Sequence, residues 1–150
     1  RRQRQMCIRD SPAPGGYGAV RCMELAISDA GLTPADIVQI NAHGTSTPLN
    51  DAAEAAAIST VFKDSTPFVT GTKGVTGHSL GAAGAIEAVA VILSMANKTI
   101  PLTHGTKNID PDFHRLNLVY LDSVSWEPGP TISNSFGFGG HNGSIVFGPA

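Results

Sequence analysis

Two histidines stand in segments made mostly of small and hydroxylic residues, a setting in which an imidazole can carry out chemistry. His43 lies within residues 41–47, and His78 closes residues 72–78. Imidazole is the side chain best suited to proton transfer and hydrogen bonding near neutral pH, and glycine or alanine beside it lets a substrate approach the backbone closely. A third, glycine-rich segment spans residues 134–143. The three segments together predict part of an active site.

Each histidine also has a purely structural interpretation. His43 follows a predicted strand, and open α/β sheets usually place ligands at that end of a strand, but a histidine there can also be a cap or face solvent. His78 is predicted to begin a long helix, where the positive end of the helix dipole disfavours the imidazolium ion and keeps the ring neutral. The alternative is that His78 merely caps that helix. Considered alone, neither histidine shows whether its role is functional or structural.

Lys73 and the glycine-rich segment do not match the common phosphate- and nucleotide-binding motifs. The residues around Lys73 lack the GxxxxGK[ST] pattern, and residues 137–140 lack the GxGxxG spacing. In an apolar neighbourhood Lys73 requires a carboxylate, for which Glu54 and Glu87 are the candidates. Residues 137–140 form either a tight turn before the final strand or a mobile loop that presents backbone N–H groups to an anion, with Phe138 as an apolar gate.

Alternating helices and strands are predicted to position these residues. A short strand over 37–40 delivers His43 into a loop, and a strand over 68–70 delivers Lys73 and His78. Helices are predicted over 17–30, from a cap at Asn50 or Asp51 to about Val61, and over 78–96, with further strands around 118–120, 131–133 and 144–147. The last helix is apolar nearly all round, so we expect it to be buried. An α/β layer architecture in one domain follows.

Composition and charge exclude several classes of protein. The chain of 150 residues is 41% hydrophobic and 15% charged, which is typical of a folded, globular protein. Its formal net charge of −2 gives no reason to expect nucleic acid as a partner. Cys7 and Cys22 form neither a disulfide framework nor a metal-ligand spacing, and His104, His114 and His141 have no carboxylate or cysteine at ligand spacing. With no visible secretory signal or membrane span, we expect a cytoplasmic protein without a metal site.

The first ten residues differ from the rest of the chain. They hold four of its ten lysines and arginines and show neither helical nor strand periodicity. Residues 6–10 resemble the translated end of a transposase adaptor used in preparing sequencing libraries. We therefore interpret residues 1–10 as a sequence artefact or a disordered leader, and residues 11–150 as the domain; the alternative is a short basic N-terminal arm.

Taken in order, the three segments resemble those of one enzyme family over essentially residues 12–148. Residues 41–48, 72–84 and 134–140 are similar to the C-terminal half of elongating β-ketoacyl-ACP synthases, which are condensing enzymes of the thiolase-like fold. The resemblance implies an α/β, thiolase-like C-terminal half in which a layered sheet packs on a buried central helix. It also implies fatty-acid elongation by decarboxylative Claisen condensation of malonyl-ACP with an acyl group held on a cysteine.

The resemblance assigns a role to each site residue. His43 and His78 are the two catalytic histidines, and Lys73 is the catalytic lysine beside them, paired with Glu54. Two neutral imidazole N–H groups aimed at the thioester oxygen would stabilise an enolate by roughly 2.7–4 kcal/mol per donor. Three further groups bind substrate or support the site: Thr45 and Thr47 on the phosphopantetheine arm, Phe138 as a gate whose backbone N–H helps to form an oxyanion hole, and the glycines Gly137, Gly139 and Gly140.

The chain departs from that family in one respect. The family's acyl-carrying cysteine lies in its N-terminal half, and neither Cys7 nor Cys22 matches it. We therefore expect this chain alone to be inactive and to expose apolar surface that the other half covers.

Three alternative functions stay open on the sequence. They are the ketosynthase of a polyketide synthase, a chain-length-factor-like subunit that lacks the nucleophile, and a non-catalytic module that binds pantetheine or ACP. The expected partners are ACP, carrying acyl and malonyl groups on phosphopantetheine, and a second copy in a homodimer. No cofactor, nucleic acid or membrane is expected.

Overall fold

The structure, a computed structural model, describes residues 16–149, in which four α-helices and seven strands are joined by loops and short 3-10 turns. The helices are α1 (Tyr17–Asp29), α2 (Pro48–Val61), α3 (Lys73–Thr76) and α4 (Ala83–Ala96). The strands are β1 (Gln39–Asn41), β2 (Phe68–Thr70), β3 (Thr99–Ile100), β4 (Asn117–Leu118), β5 (Val124–Ser125), β6 (Thr131–Phe136) and β7 (Asn142–Phe147). The prediction for residues 1–10 lies outside the described residues.

Five strands form one mixed sheet in the order β4–β2–β1–β6–β7. Strand β1 pairs in parallel with β2 and with β6, so that Ile40 lies opposite both Val69 and Ile132. Strands β2 and β4 are also parallel, β6 and β7 form an antiparallel hairpin, and β3 pairs with β5 in a separate antiparallel ribbon. Parallel neighbours end at the same edge of a sheet, so the loops that carry His43 and Lys73 emerge side by side. The predicted α/β architecture is confirmed.

The two faces of this sheet differ in polarity because side chains alternate along each strand. On one face Ile40 and Ile132, both fully buried, pack into an apolar core with α1 and α2; the core also includes Met23, Ile27, Ala57, Ile58 and Phe62. On the other face the hydroxyl of Thr131 donates to Oε1 of Gln39 at 3.4 Å, and the hydroxyl of Ser94 in α4 donates to the same atom at 3.5 Å. Helix α4 therefore covers a polar face of the sheet.

Helix α4 differs from the sequence prediction in two ways. It begins at Ala83 rather than at His78, because Gly77 (φ 69°) and Leu80 (φ 52°) adopt left-handed backbone conformations that a right-handed helix cannot contain. One stripe of the helix is buried, namely Ala83, Glu87, Val91 and Ser94, whereas Ile86, Val89, Ile92 and Leu93 are exposed. The prediction that this helix is buried all round was wrong for this chain, and the expected exposed apolar surface is found on α4.

Other elements lie close to their predicted positions. Strand β2 has the predicted bounds, whereas α2 begins directly after Thr47, with Pro48 in its first turn, and not after Asn50 or Asp51. The ribbon of β3 and β5 was not predicted, because two-residue strands leave no readable periodicity. Among residues 16–149, none of the helices has the length and apolar character needed to cross a membrane.

Candidate active site

The loops after β1 and β2 bring the predicted catalytic residues together at one edge of the sheet. Beyond the end of β1, the backbone N–H of Ala42 still donates to the carbonyl oxygen of Thr70 in β2 at 2.8 Å, so the starts of the His43 and Lys73 loops are held side by side. His78 follows α3, and its ring meets that of His43 edge-on, with centroids 5.5 Å apart and planes at 86°. The structure thus joins both histidines and the lysine in one cluster.

Lys73 is buried, and its ammonium group has three acceptors around it. Its Nζ donates to the carbonyl oxygen of His43 and to Oε1 of Glu87, and it lies 3.3 Å from Nδ1 of the His43 ring. An ammonium group has only donors, so Nδ1 of His43 is the acceptor and the neutral ring carries its proton on Nε2. The predicted pairing of Lys73 with Glu54 was wrong. The partner is Glu87 of α4, whereas Glu54 projects from α2, which packs on the opposite face of the sheet.

Glu54 holds the backbone of the histidine loop instead. Its carboxylate is almost fully buried; Oε1 accepts a hydrogen bond from the N–H of His43 and Oε2 accepts one from the N–H of Gly44, both at 2.9 Å. The side-chain amide of Asn134 donates to Oε1 at 3.3 Å. Hydrogen bonds to a carboxylate are among the stronger ones in proteins. Glu54 is therefore in contact with the site, but through the backbone of the loop.

Burial sets the charge of the His43 ring. Desolvation, aided by the Lys73 charge and by His78, lowers the pKa of His43 to about 4. The ring is therefore neutral at pH 7, and with Nδ1 occupied it offers its Nε2–H as a donor. Burial also raises the pKa values of Glu54 and Glu87, against the opposing effect of the backbone donors on Glu54 and of Lys73 on Glu87.

The neutral His78 ring carries its proton on the same nitrogen as His43, but a different group fixes it there. The backbone N–H of Leu80 donates to Nδ1 of His78 at 3.2 Å, so the neutral form of this ring also carries its proton on Nε2. His78 is exposed and does not lie at the start of α4, so the predicted influence of a helix dipole does not apply. Each of the two neighbouring imidazoles thus has Nδ1 occupied and Nε2 free to donate.

Two threonines lie beside the histidine loop, just before α2. The hydroxyl oxygens of Thr45 and Thr47 are 2.8 Å apart and share a hydrogen bond. Each hydroxyl has one donor and two acceptor positions, so the pair retains hydrogen-bonding capacity for a ligand with amide groups. Because Thr47 directly precedes α2, these hydroxyls stand at the same edge of the sheet as the histidines.

The glycine-rich segment forms a tight turn at the tip of the β6–β7 hairpin. The N–H of Gly137 donates to the carbonyl oxygen of His141 at 2.9 Å. Gly139 and Gly140 have φ values of 72° and 79°, a conformation that glycine adopts readily. Since β6 runs parallel to β1, this turn lies at the same edge of the sheet as the histidine loop. The predicted gating role of the Phe138 side chain lies outside what the structure describes.

Two residues that contact the site had no predicted role. The ring of Phe136 lies 6.2 Å from that of His43, centroid to centroid, and Asn134 reaches Glu54. Strand β6 contains a signal for Asn134: it shares a face with Ile132, so a polar side chain interrupts the apolar pattern of that face. Phe136 gives no such signal, because an aromatic residue in a strand looks like an ordinary core residue.

A cavity of about 600 Å³ lies between α2 and the loop of residues 103–110. Gly44, Glu54 and Gly71 form part of its wall, but neither His43 nor His78 lines it. The space in which a substrate would meet both rings is therefore not this cavity. Within the described part of the chain, no group of three His, Cys, Asp or Glu side chains is arranged to hold a metal ion.

The sequence matches the model of one protein family. Residues 6–107 match the family described as "Beta-ketoacyl synthase, C-terminal domain". This match covers more than half of the chain, and the chain belongs to that family.

Individual proteins with similar sequences are named as synthases of this kind. The chain is 45% identical over 140 residues to the mitochondrial 3-oxoacyl-[acyl-carrier-protein] synthase of Arabidopsis thaliana, a match that covers 91% of this chain and 30% of that protein. It is 44% identical over 137 residues to 3-oxoacyl-[acyl-carrier-protein] synthase 1 of Escherichia coli strain K12, covering 91% of this chain and 33% of that protein. The chain therefore spans about a third of the length of the curated relatives it matches.

Solved structures give the same fold. The ishigamide ketosynthase/chain length factor superposes on this chain with a TM-score of 0.88 and 36% sequence identity, covering 96% of this chain and 36% of that chain. The fold is the thiolase-like α/β fold of ketosynthases, as predicted.

Proposed function

We propose that this chain is the C-terminal part of a fatty-acid-elongating β-ketoacyl-ACP synthase, in which His43 and His78 stabilise the enolate formed from malonyl-ACP. The observation that carries the proposal is the matched orientation of the two rings. Each accepts a hydrogen bond at Nδ1, from Lys73 or from the Leu80 amide, and each therefore offers its Nε2–H to a ligand. The identity to relatives named as 3-oxoacyl-[acyl-carrier-protein] synthases supports the same reaction.

In the first step, the bond between C2 and the carboxylate carbon of the malonyl thioester breaks and CO₂ leaves. The electron pair moves into the thioester, whose oxygen becomes the enolate oxygen. The Nε2–H groups of His43 and His78 donate to that oxygen, and preorganised donors of this kind contribute roughly 2.7–4 kcal/mol each. Lys73 holds the His43 ring at Nδ1, and its positive charge makes the Nε2–H a stronger donor.

In the second step, the enolate carbon attacks the carbonyl carbon of an acyl thioester held on a cysteine. A carbon–carbon bond forms, the cysteine thiolate leaves, and the β-ketoacyl product on ACP is one two-carbon unit longer. Cys22 lies in α1, on the face of the sheet opposite to α4, and Cys7 lies outside the described residues. We assign the nucleophile to the part of the relatives' length that this chain does not span.

The absence of an acyl-enzyme on this chain is directly measurable. Incubation of the chain with acyl-ACP, followed by intact mass measurement, is expected to show no added acyl group. A stoichiometric adduct on Cys22 would contradict this assignment.

A chain-length-factor-like subunit is the second candidate, because the ishigamide structure is that of a ketosynthase/chain length factor. The contact of Lys73 with His43, and of His43 with His78, favours the catalytic subunit, since a subunit that catalyses no reaction does not require oriented donors.

A polyketide ketosynthase would use the same histidines on a different acyl chain. A non-catalytic ACP-binding module would bind carrier protein equally well after His43→Ala and His78→Ala and would decarboxylate malonyl-ACP in no context.

The partners and location follow from the same proposal. ACP would deliver its phosphopantetheine arm past Thr45 and Thr47 and the turn that contains Gly137, Phe138, Gly139 and Gly140. The neighbouring hydroxyls and the open backbone of that turn support this placement. A homodimer in the full-length protein and a cytoplasmic location complete the proposal.

A hybrid enzyme tests the proposed reaction. Residues 12–148 replace the matching C-terminal third of the E. coli synthase, which supplies the remainder, and the release of CO₂ from malonyl-ACP is measured. We expect the hybrid to decarboxylate malonyl-ACP, and His43→Ala and His78→Ala each to lower the rate by a factor of roughly 10²–10³. His114→Ala changes an exposed histidine of the same chain and leaves the rate unchanged. A folded hybrid whose rate resists both substitutions contradicts the proposed roles.

A further inference from the structure

Asn134 is a fully buried amide on the apolar face of the sheet. It lies in β6 on the same face as Ile132, beneath α1 and α2, and neither side chain has measurable exposure. A buried amide costs free energy unless its donors and its acceptor find partners. An apolar residue would pack at this position without that cost, so the hydrogen bonds of Asn134 account for its presence.

All the hydrogen-bonding groups of this amide are used. Nδ2 donates to Oε1 of Glu54 at 3.3 Å and to Sδ of Met23 at 3.4 Å, while Oδ1 accepts from the hydroxyl of Ser144 at 2.8 Å. The opposite orientation of the amide would place Oδ1 against the Glu54 carboxylate, acceptor against acceptor. The three partners therefore fix which way the amide points.

Glu54 transmits this constraint to the histidine loop. Its two carboxylate oxygens receive the N–H groups of His43 and Gly44, both at 2.9 Å. Within residues 16–149, Asn134 is the one side chain that hydrogen-bonds Glu54. The direction of the carboxylate, and with it the path of the loop backbone, depends on the amide.

Ser144 links the same amide to the glycine-rich turn. Asn134 and Ser144 are cross-strand neighbours in the β6–β7 hairpin, and the tip of that hairpin is the turn of residues 137–141. A continuous path of hydrogen bonds thus runs from the hairpin through Asn134 and Glu54 to the backbone of His43.

We propose that Asn134 is a positioning residue, which holds the His43 backbone through Glu54 and ties the histidine loop to the hairpin that carries the glycine-rich turn. The catalytic use of this geometry rests on the proposed function, whereas the positioning itself is a property of the chain and is measured without substrate.

The test is an NMR measurement of the Gly44 amide in the 150-residue chain. Asn134→Leu keeps nearly the same side-chain shape and removes the amide. We expect hydrogen exchange at Gly44 to rise about fivefold relative to the amides of Ile40 and Ile132, which corresponds to one lost hydrogen bond. We also expect the titration of Glu54, followed through the Gly44 amide shift, to move to higher pH, because the carboxylate loses a donor.

Two further variants make the measurement specific. Asn50→Leu is the matched control for hydrogen exchange, since Asn50 is a buried asparagine of α2 whose Nδ2 donates to Asp51 rather than to Glu54; it leaves the exchange rate of Gly44 unchanged. Ser144→Ala removes only the hydrogen bond to Oδ1 of Asn134 and produces smaller changes in the same direction.

Each outcome decides the proposal. A rise confined to the histidine loop, together with the moved titration, supports it. Unchanged readouts in Asn134→Leu, or an equal rise at every amide, overturn it. If Asn134→Leu does not fold, Ser144→Ala decides on the same criteria. Because no substrate is involved, failure of this proposal is distinguished from failure of the decarboxylation, which the hybrid enzyme measures.

Discussion

His43 and His78 have neighbouring rings but very different surroundings. His43 is 7% exposed; Lys73 occupies its Nδ1 and its carbonyl oxygen, Glu54 accepts from its N–H, and the Phe136 ring lies against it. His78 is exposed, and the described hydrogen bond to its ring comes from the Leu80 amide alone. More groups of this chain therefore hold His43 in place than hold His78.

The two faces of the sheet also differ in how completely they are covered. Helices α1 and α2 close one face over a continuous apolar core that includes Met23 and Ile40. On the other face α4 buries one stripe and leaves Ile86, Val89 and Leu93 exposed. His78 precedes this open helix. The exposed His78 thus lies beside the exposed stripe of α4, whereas the buried stripe of the same helix supplies Glu87 to Lys73 in the enclosed part of the site.

Removal of Lys73 tests the enclosed part and should have the largest effect on stability. The side chains of Lys73 and Glu87 are 6% and 1% exposed, so Lys73→Met leaves a buried carboxylate without its cation, at a cost of about 3–5 kcal/mol in the free energy of unfolding. Lys98→Met is the control: its partner Glu127 is exposed, and the expected loss is below about 1 kcal/mol. Urea denaturation measures both, and equal losses would contradict the enclosure of Lys73.

Two valines of α4 compare the faces of one helix directly. Val91 is 1% exposed and Val89 is 56% exposed. Val91→Ala should lower the free energy of unfolding by about 2 kcal/mol, whereas Val89→Ala should change it by no more than about 0.5 kcal/mol. A similar loss at both positions, measured by urea denaturation, would show that the outer face of α4 is covered in solution.

The lowered pKa of His43 predicts a pH effect of definite sign. An unfolded imidazole has a pKa of 6.5, and burial lowers the pKa of the folded His43 ring to about 4. Between these values the unfolded chain binds a proton at position 43 that the folded chain does not, so His43 lowers the free energy of unfolding as the pH falls from 6.5 towards 4. His43→Gln should remove this contribution, and urea denaturation of both chains at a series of pH values measures the difference. A difference that grows in the opposite direction would show that the folded ring is the better proton acceptor.

Substitution of His78 should have the smallest effect on the chain itself. Its ring is exposed, so His78→Ala is expected to change the free energy of unfolding by no more than about 0.5 kcal/mol, even though it removes a proposed catalytic donor. A loss above about 2 kcal/mol would place His78 among the enclosed residues and remove the contrast with His43.

Much of the fold was predictable where local pattern and tertiary structure agree. Strand β2 was predicted with its bounds, because a short apolar run between a proline and glycines has few other solutions. The start of α4 was not, because the left-handed backbone of Gly77 and Leu80, which delays the helix, leaves no mark in the hydrophobic pattern of the sequence. The exposed stripe of α4 was hidden for a similar reason: a helix that is apolar all round carries no mark of which side is covered.

The residues of the site could be predicted from the sequence, but their hydrogen-bond and ion-pair partners could not. His43, His78 and Lys73 are adjacent, as their positions after neighbouring strands required. The carboxylate partner of Lys73 could not be chosen between Glu54 and Glu87, because that choice depends on which face of the sheet each helix covers. The roles of these residues in catalysis stay predictions until they are measured.

The orientation of the two rings is measured most directly by ¹⁵N NMR of the histidine side chains in the 150-residue chain. We predict that at pH 7 the His43 ring is neutral, with a bare Nδ1 and a protonated Nε2, and that the neutral form of His78 has the same tautomer. A ring of His43 that is cationic at pH 7, or either ring with its proton on Nδ1, would contradict the proposal that His43 and His78 act as a pair of Nε2–H donors to an enolate.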